Sequence, residues 1–134
     1  MLLYATLGTN DLPRALRFYD AIMAVLGQPR LALDAAGWVA WGQDYDSGFG
    51  LWLCAPFDGQ PATPGNGTMF AFKADSAALV RDWHAAGLAQ GGQDEGVPGL
   101  RPHYDARFFA AYLRDPDGNK LACVHHRFDP GTET

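Results

Sequence analysis

The sequence predicts an α+β fold assembled from one unit written twice. Strand, helix and strands follow one another in the first half and again in the second. A Gly- and Pro-rich loop, "FDGQPATPGNG" at 57–67, lies between the halves, and 134 residues is the length of one ordinary domain. Neither half has the apolar residues for a core of its own. The expected organisation is one domain: module 1 over about 1–57, a linker over about 58–67 and module 2 over about 68–128.

Taken in order, "LLYATLGT" (2–9) reads as a strand ending at Gly8. A helix follows over 9–27, capped by Asn10 or Asp11, with Pro13 in its first turn and Gly27 at its end. Leu12, Leu16, Tyr19, Met23 and Leu26 recur at helical spacing and form its apolar stripe. A strand is expected near 30–33, then two more over 37–42 and 49–56, joined by the turn "QDYDSG". For at least two of Trp38, Trp41 and Trp52 the reading is plain core.

The pattern restarts with a strand over 68–74 and a helix over 75–92, capped by Asp75 or Ser76. Its stripe is Leu79, Val80 and Trp83. "DEGVPGLRPHYDAR" (94–107) reads as a long loop, because glycine and proline punctuate it throughout. "FFAAYLRD" (108–115) and "NKLACVHH" (119–126) are strands joined by "PDG", a strong hairpin signal. After Phe128 the chain reads as a polar tail.

A hydrophobic content of 48% and an aromatic content of 13% belong to a packed protein and not to a disordered chain. The net charge of −5 argues against a nucleic-acid partner. No apolar run is long enough to span a membrane, and "MLLYATLGTND" lacks the features of an export signal, so a cytoplasmic location is expected. In that compartment Cys54 and Cys123 are expected as buried free thiols.

Three stretches together carry a family resemblance: "TLGTNDLPRALRFYDAIMAVLG", "GNGTMFAFKADSAALVRDWHAAGLAQGG" and "PHYDARFFAAYLRDPDGNKLACV". In order and spacing the chain resembles the glyoxalase/bleomycin resistance protein/dioxygenase superfamily, also called the vicinal oxygen chelate superfamily, over residues 2–126. The resemblance implies two βαβββ modules whose curled mixed sheets form a cleft, with helices on the outer face, within a homodimer. It also implies a divalent metal held by His and Glu ligands from both modules. At the positions where the family places those ligands, this chain has Tyr4, Met69 and Ala122, and "FGLWLCAP" on the remaining strand offers no His, Asp or Glu. Tyrosine is a poor ligand at its ordinary pKa. The segment "YLRDPDGNKLACVHH" thus reads as the remains of a metal site, and no metal or other cofactor is expected.

Side chains alternate along a strand, so Ala122, Val124 and His126 share one face while Leu121, Cys123 and His125 share the other. Cys123 and His125, with Cys54, have a spacing that can chelate zinc; the competing reading is a buried thiol beside a hydrogen-bonded histidine. His84 is expected as a helix-surface or helix–sheet contact. Leu2, Tyr4, Thr6, Met69, Ala71, Ala122 and Val124 are expected to line the cleft. Arg101, His103 and Tyr104 from the long loop, and Tyr112 on the following strand, complete the ligand-binding candidates.

Two functions follow. One is a metal-independent protein that binds a small, partly aromatic molecule, as the family's drug-binding members do; those members use an acidic groove for a cationic ligand. The other is a lyase, isomerase or dioxygenase with replacement metal ligands, or metal-free acid–base chemistry with His103 or Tyr4 as proton carrier. No carboxylate pair, nucleophile–base pair or phosphate loop is present to favour it. A third possibility is a cleft filled by the protein's own side chains.

Overall fold

The structure is a computed structural model that describes residues 1–134, the side chain of residue 33 excepted. Ten elements follow one another: β1 (Tyr4–Gly8), α1 (Leu12–Val25), β2 (Arg30–Leu33), β3 (Val39–Gly42), β4 (Gly50–Cys54), β5 (Met69–Lys73), α2 (Ala77–Ala89), β6 (Gln93–Leu100), β7 (Phe109–Arg114) and β8 (Lys120–His125). They form two four-stranded mixed sheets, ordered β1-β4-β3-β2 and β5-β8-β7-β6, and neither closes into a barrel. In each sheet one edge strand runs parallel to its neighbour, β1 with β4 and β5 with β8. The unit predicted twice is therefore built twice, with the same strand order.

Local chemistry sets the helix ends. Asp11 caps α1, its side chain accepting from Arg14 N at 3.0 Å, and Gly27 leaves the helix with φ near 70°. Ser76 caps α2 by accepting from Leu79 N at 3.2 Å. One core cluster draws on both modules: Phe18, Tyr19 and Ile22 of α1, Trp41, Leu51 and Leu53 of the first sheet, Trp83 of α2, and Leu113, Leu121 and Cys123 of the second sheet. Where the layers press closest the chain has Gly87, at which a Cβ would lie 2.3 Å from Leu113 Cδ1 and 3.3 Å from Phe18 Cε2.

Three expectations need correction. Residues 94–100, expected as loop, belong to β6, which pairs with β7 through two register shifts, at Asp94/Gly96 and Gly96/Gly99. The glycines that suggested a loop sit at these irregularities, and Pro98 is tolerated because β6 is an edge strand. Of Trp38, Trp41 and Trp52 only Trp41 is fully buried; Trp38 and Trp52 are half-buried, their rings 6.3 Å apart. The register explains this, since Trp52 aligns with the exposed Thr6 and not with the core-facing Leu7.

The end of the chain is the third correction, because it is not a free tail. Phe128 stacks on Phe109 at 5.3 Å, and Glu133 accepts from Ala77 N at 2.8 Å and Asp129 N at 3.1 Å while meeting His125 Nε2 at 2.9 Å. A carboxylate thereby sits on the first turn of α2, where backbone N–H groups lack partners.

The "DPDGN" turn between β7 and β8 ties the modules together. Asp115, buried, accepts from Tyr19 Oη at 2.5 Å and from Asn119 N and Asn119 Nδ2, both at 2.9 Å. Asn119 Nδ2 also donates to Gly8 O at 3.1 Å. Asp117 accepts from Thr9 Oγ1 at 2.6 Å, Asn10 N at 2.9 Å and Arg14 Nη2 at 2.9 Å. Burial pushes the Asp115 carboxyl upward, and its hydrogen bonds pull in the opposite direction. Burial first, and then the neighbouring Asp115, raises Tyr19 well above an ordinary phenol.

Candidate functional site

Alternation gives the second sheet a core face and an open face. Phe109, Ala111, Leu113, Leu121 and Cys123 point into the core; their strand neighbours Tyr112, Arg114, Lys120 and Ala122 share the open face with Met69 and Ala71 of β5. Over this face the loop following β6 brings His103, Tyr104 and Phe108. The result is a cleft of about 520 Å³ lined by Met69, Glu95, Gly96, Arg101, His103, Tyr104, Phe108, Tyr112 and Lys120. That volume falls within the ordinary range for small-molecule sites.

Its geometry is specific. Arg101 donates from Nη1 to Gly99 O at 2.9 Å and from Nη2 to Val97 O at 2.6 Å, so the irregular strand β6 holds the guanidinium by backbone carbonyls. The held group lies 5.4 Å from the Tyr112 ring centroid, and Lys120 Nζ lies 5.7 Å from the same ring. Neither cation forms an ion pair among the described residues, whereas Glu95 is engaged by Arg114 Nε at 2.8 Å. Opposite stand three rings in contact: His103 is 4.2 Å from Tyr104, and Tyr104 is 5.3 Å from Phe108. Burial, then Tyr104, raises the Tyr112 phenol above its ordinary value despite the opposing pull of Arg101, so Tyr112 enters the cleft as a neutral donor.

Of the residues singled out from sequence, Met69, Arg101, His103, Tyr104 and Tyr112 come together here. Tyr4 and Ala122 do not line this cleft. Tyr4 is exposed on the first sheet, 6.0 Å from Tyr45, and Ala122, aligned with both Ala71 and Tyr112, has no exposed surface. Phe108 belongs to "FFAAYL", whose aromatics the sequence suggests as closing the cleft, whereas Lys120 went unnoticed. The signal for Lys120 was available, since it lies two residues before Ala122 and therefore on the same face.

The inherited metal positions supply Tyr4 on β1, Met69 on β5 and Ala122 on β8, a set with one oxygen donor and no imidazole or carboxylate. Among the described residues no three His, Cys, Asp or Glu side chains gather in an arrangement that could hold an ion. The alternative zinc set is likewise dispersed. Cys54 and Cys123 belong to different sheets, burial pushes the Cys123 thiol up to about 12, and His125 spends its nitrogens on Ala74 O and Glu133. His84 is a helix–sheet contact, its Nε2 2.9 Å from Asp94 Oδ1. These donor sets do not suit a divalent ion.

The family model for the glyoxalase/bleomycin resistance protein/dioxygenase superfamily matches residues 2–123, nearly the whole length of the two-module fold. The chain belongs to this superfamily. A glyoxalase/bleomycin resistance protein from Albidiferax ferrireducens is similar to it at 37% identity, over 93% of this chain and 98% of that one, with a TM-score of 0.84. A glyoxalase-related enzyme from Fulvimarina pelagi, 23% identical over 97% of this chain and 88% of its own, gives a TM-score of 0.72. A lactoylglutathione lyase from Agrobacterium tumefaciens, 22% identical over 92% of each chain, gives 0.61. The last two likenesses concern the fold alone. No functionally curated protein matches the chain. Superfamily membership accounts for the paired modules and the open sheet faces; it does not choose among the chemistries that this fold hosts.

Proposed function

We propose that this member of the superfamily works without a metal, binding a small, partly aromatic molecule in the cleft of its second module. The observation that carries the reading is the cleft itself: about 520 Å³, walled by Tyr104, Phe108, Tyr112 and Met69, with polar groups supplied by Arg101, His103 and Lys120. Apolar walls with a few fixed polar groups are the usual make-up of a small-molecule site. The donor-poor set Tyr4, Met69 and Ala122 supports the metal-free part of the reading.

The protein is proposed to act as a cytoplasmic homodimer, with no nucleic-acid or membrane partner. No helix is long and apolar enough to cross a membrane. Support for the dimer comes from exposed apolar side chains that gather on the first sheet, where Tyr4 lies 6.0 Å from Tyr45 and Leu31, Tyr45 and Trp52 line one depression. Patches of this kind mark surfaces that are covered in the working protein.

The test is a nuclear magnetic resonance titration of the full chain with a panel of small aromatic compounds. Shifts concentrated on Met69, Gly96, Arg101, His103, Tyr112 and Lys120 are expected. Shifts confined to the first sheet, or none at all, would overturn the reading. Turnover of a thiol adduct or a catechol abolished by His103→Ala would move the assignment to a lyase or a dioxygenase.

A further inference from the structure

Within this cleft the charge points to a definite class of ligand. The chain carries a net −5, yet the cleft gathers the opposite sign: Arg101 and Lys120 face into it without carboxylate partners among the described residues, and its one acid, Glu95, is neutralised by Arg114 at 2.8 Å. Both cations lie within 6 Å of the Tyr112 ring centroid, at 5.4 and 5.7 Å. Two positive charges without partners in one cleft make its potential positive and draw an anion.

The seat of Arg101 is built by the backbone. Its bonds to Gly99 O and Val97 O, with a longer one of 3.4 Å from Nη1 to Leu100 O, leave the Nε–H and one Nη2–H uncommitted. Room for the group comes from glycine. A Cβ at Gly99 would lie 3.3 Å from Arg101 Nη1, and a Cβ at Gly96 would lie 3.2 Å from Arg101 Nη2 and 2.7 Å from Tyr112 Cδ2. A guanidinium fixed before binding loses little freedom on pairing, and its planar pair of N–H groups matches the two oxygens of a carboxylate. Next to it the rings of Tyr104 and Phe108 offer apolar surface for an aromatic ligand.

We propose that the cleft takes a small aromatic carboxylate, its oxygens on the held guanidinium of Arg101, with Lys120 adding to the positive charge of the cleft and the ring against Tyr104 and Phe108. This rests on the cleft being the ligand site. It differs from the acidic groove and cationic ligand that the family resemblance implied. The positive lining selects the anion, and the depth of aromatic wall selects a ring over a simple aliphatic acid.

The test uses three probes of one shape and different charge: benzoate, benzamide and benzamidine, titrated into the full untagged chain by nuclear magnetic resonance. Benzoate is expected to bind at least about tenfold more tightly than benzamide, the value of one charge-assisted hydrogen bond, and benzamidine is expected to bind most weakly. Acetate should not saturate. Arg101→Gln should cost benzoate about tenfold and so narrow its lead over benzamide, Lys120→Gln should act in the same direction, and Arg17→Gln on the outer face of α1 should do nothing. Equal binding of benzoate and benzamide, or preference for benzamidine, would overturn the anionic class while leaving the cleft as the site. Failure of all three probes to perturb the cleft would overturn both. Because Arg101 holds the end of β6 through Gly99 O and Val97 O, the melting temperature and amide spectrum of Arg101→Gln show whether the variant is folded.

Discussion

Arg101 and Tyr112 meet over Gly96, and the absence of a side chain there is what lets them do so. With a Cβ only 2.7 Å from Tyr112 Cδ2 and 3.2 Å from Arg101 Nη2, Gly96→Ala must push both groups aside. Because β6 is an edge strand, the stability cost should stay at about 1 kcal/mol. The affinity for benzoate should nevertheless fall about tenfold, as measured by the same titration, since a displaced guanidinium forfeits its charge-assisted bonds. Unchanged affinity would mean that the glycine has no part in shaping the seat. At this scale the sequence was only partly legible. Period-two alternation placed Met69, Ala71 and Ala122 on one face, as the register of β5 and β8 has them. It could not place Arg101, whose position depends on two register shifts in a strand that reads as loop.

Elements were legible where caps and periodicity agree, as in α1, where Asp11, Pro13 and Gly27 mark the ends. They were illegible where turn-forming residues serve a sheet. Gly96, Pro98 and Gly99 suggest a loop, and only pairing with β7 makes them a strand. The polar end of the chain concealed its role for a related reason, since Glu133 acts across 56 residues on the first turn of α2. The Ala77 N–H, then the Asp129 N–H and His125, lower the Glu133 carboxyl from 4.5 to about 2. A depressed carboxyl contributes stability that is complete above its unfolded value and lost as the pH falls through the folded one. The clasp is therefore expected to hold above about pH 4.5 and to release on approaching pH 2. The Ala77 amide resonance should titrate with a midpoint well below 4.5, and Glu133→Gln should remove that step. A midpoint at the ordinary carboxyl value would show that Glu133 is not held.

For the whole molecule, repetition made the architecture readable: two similar units in one short chain announce two similar modules. The connection between them was harder to see. The "DPDGN" turn, part of the stretch that reads as the remains of a metal site, has a structural role of its own: its aspartates tie β7 and β8 to the start of α1, with Asp117 alone gathering Thr9, Asn10 and Arg14. Contacts between positions more than a hundred residues apart leave no local pattern. Asp117→Ala should cost about 2 kcal/mol, because two side chains and a backbone N–H lose a charged acceptor and Arg14 is partly exposed to water. Denaturant unfolding of the variant checks this, and an unchanged midpoint would contradict the role given to the turn.

The central claim, a cleft that works without a metal, is tested most directly by metal analysis. Untagged protein purified without chelators would be assayed for bound metal, then challenged with zinc, nickel, manganese and ferrous iron while its thermal unfolding is followed. Far less than one ion per chain, with no ion raising the melting temperature selectively, is the predicted result. One ion per chain, or marked stabilisation by a single metal, would contradict the account and return the search to His103, Cys123 and His125 for ligands.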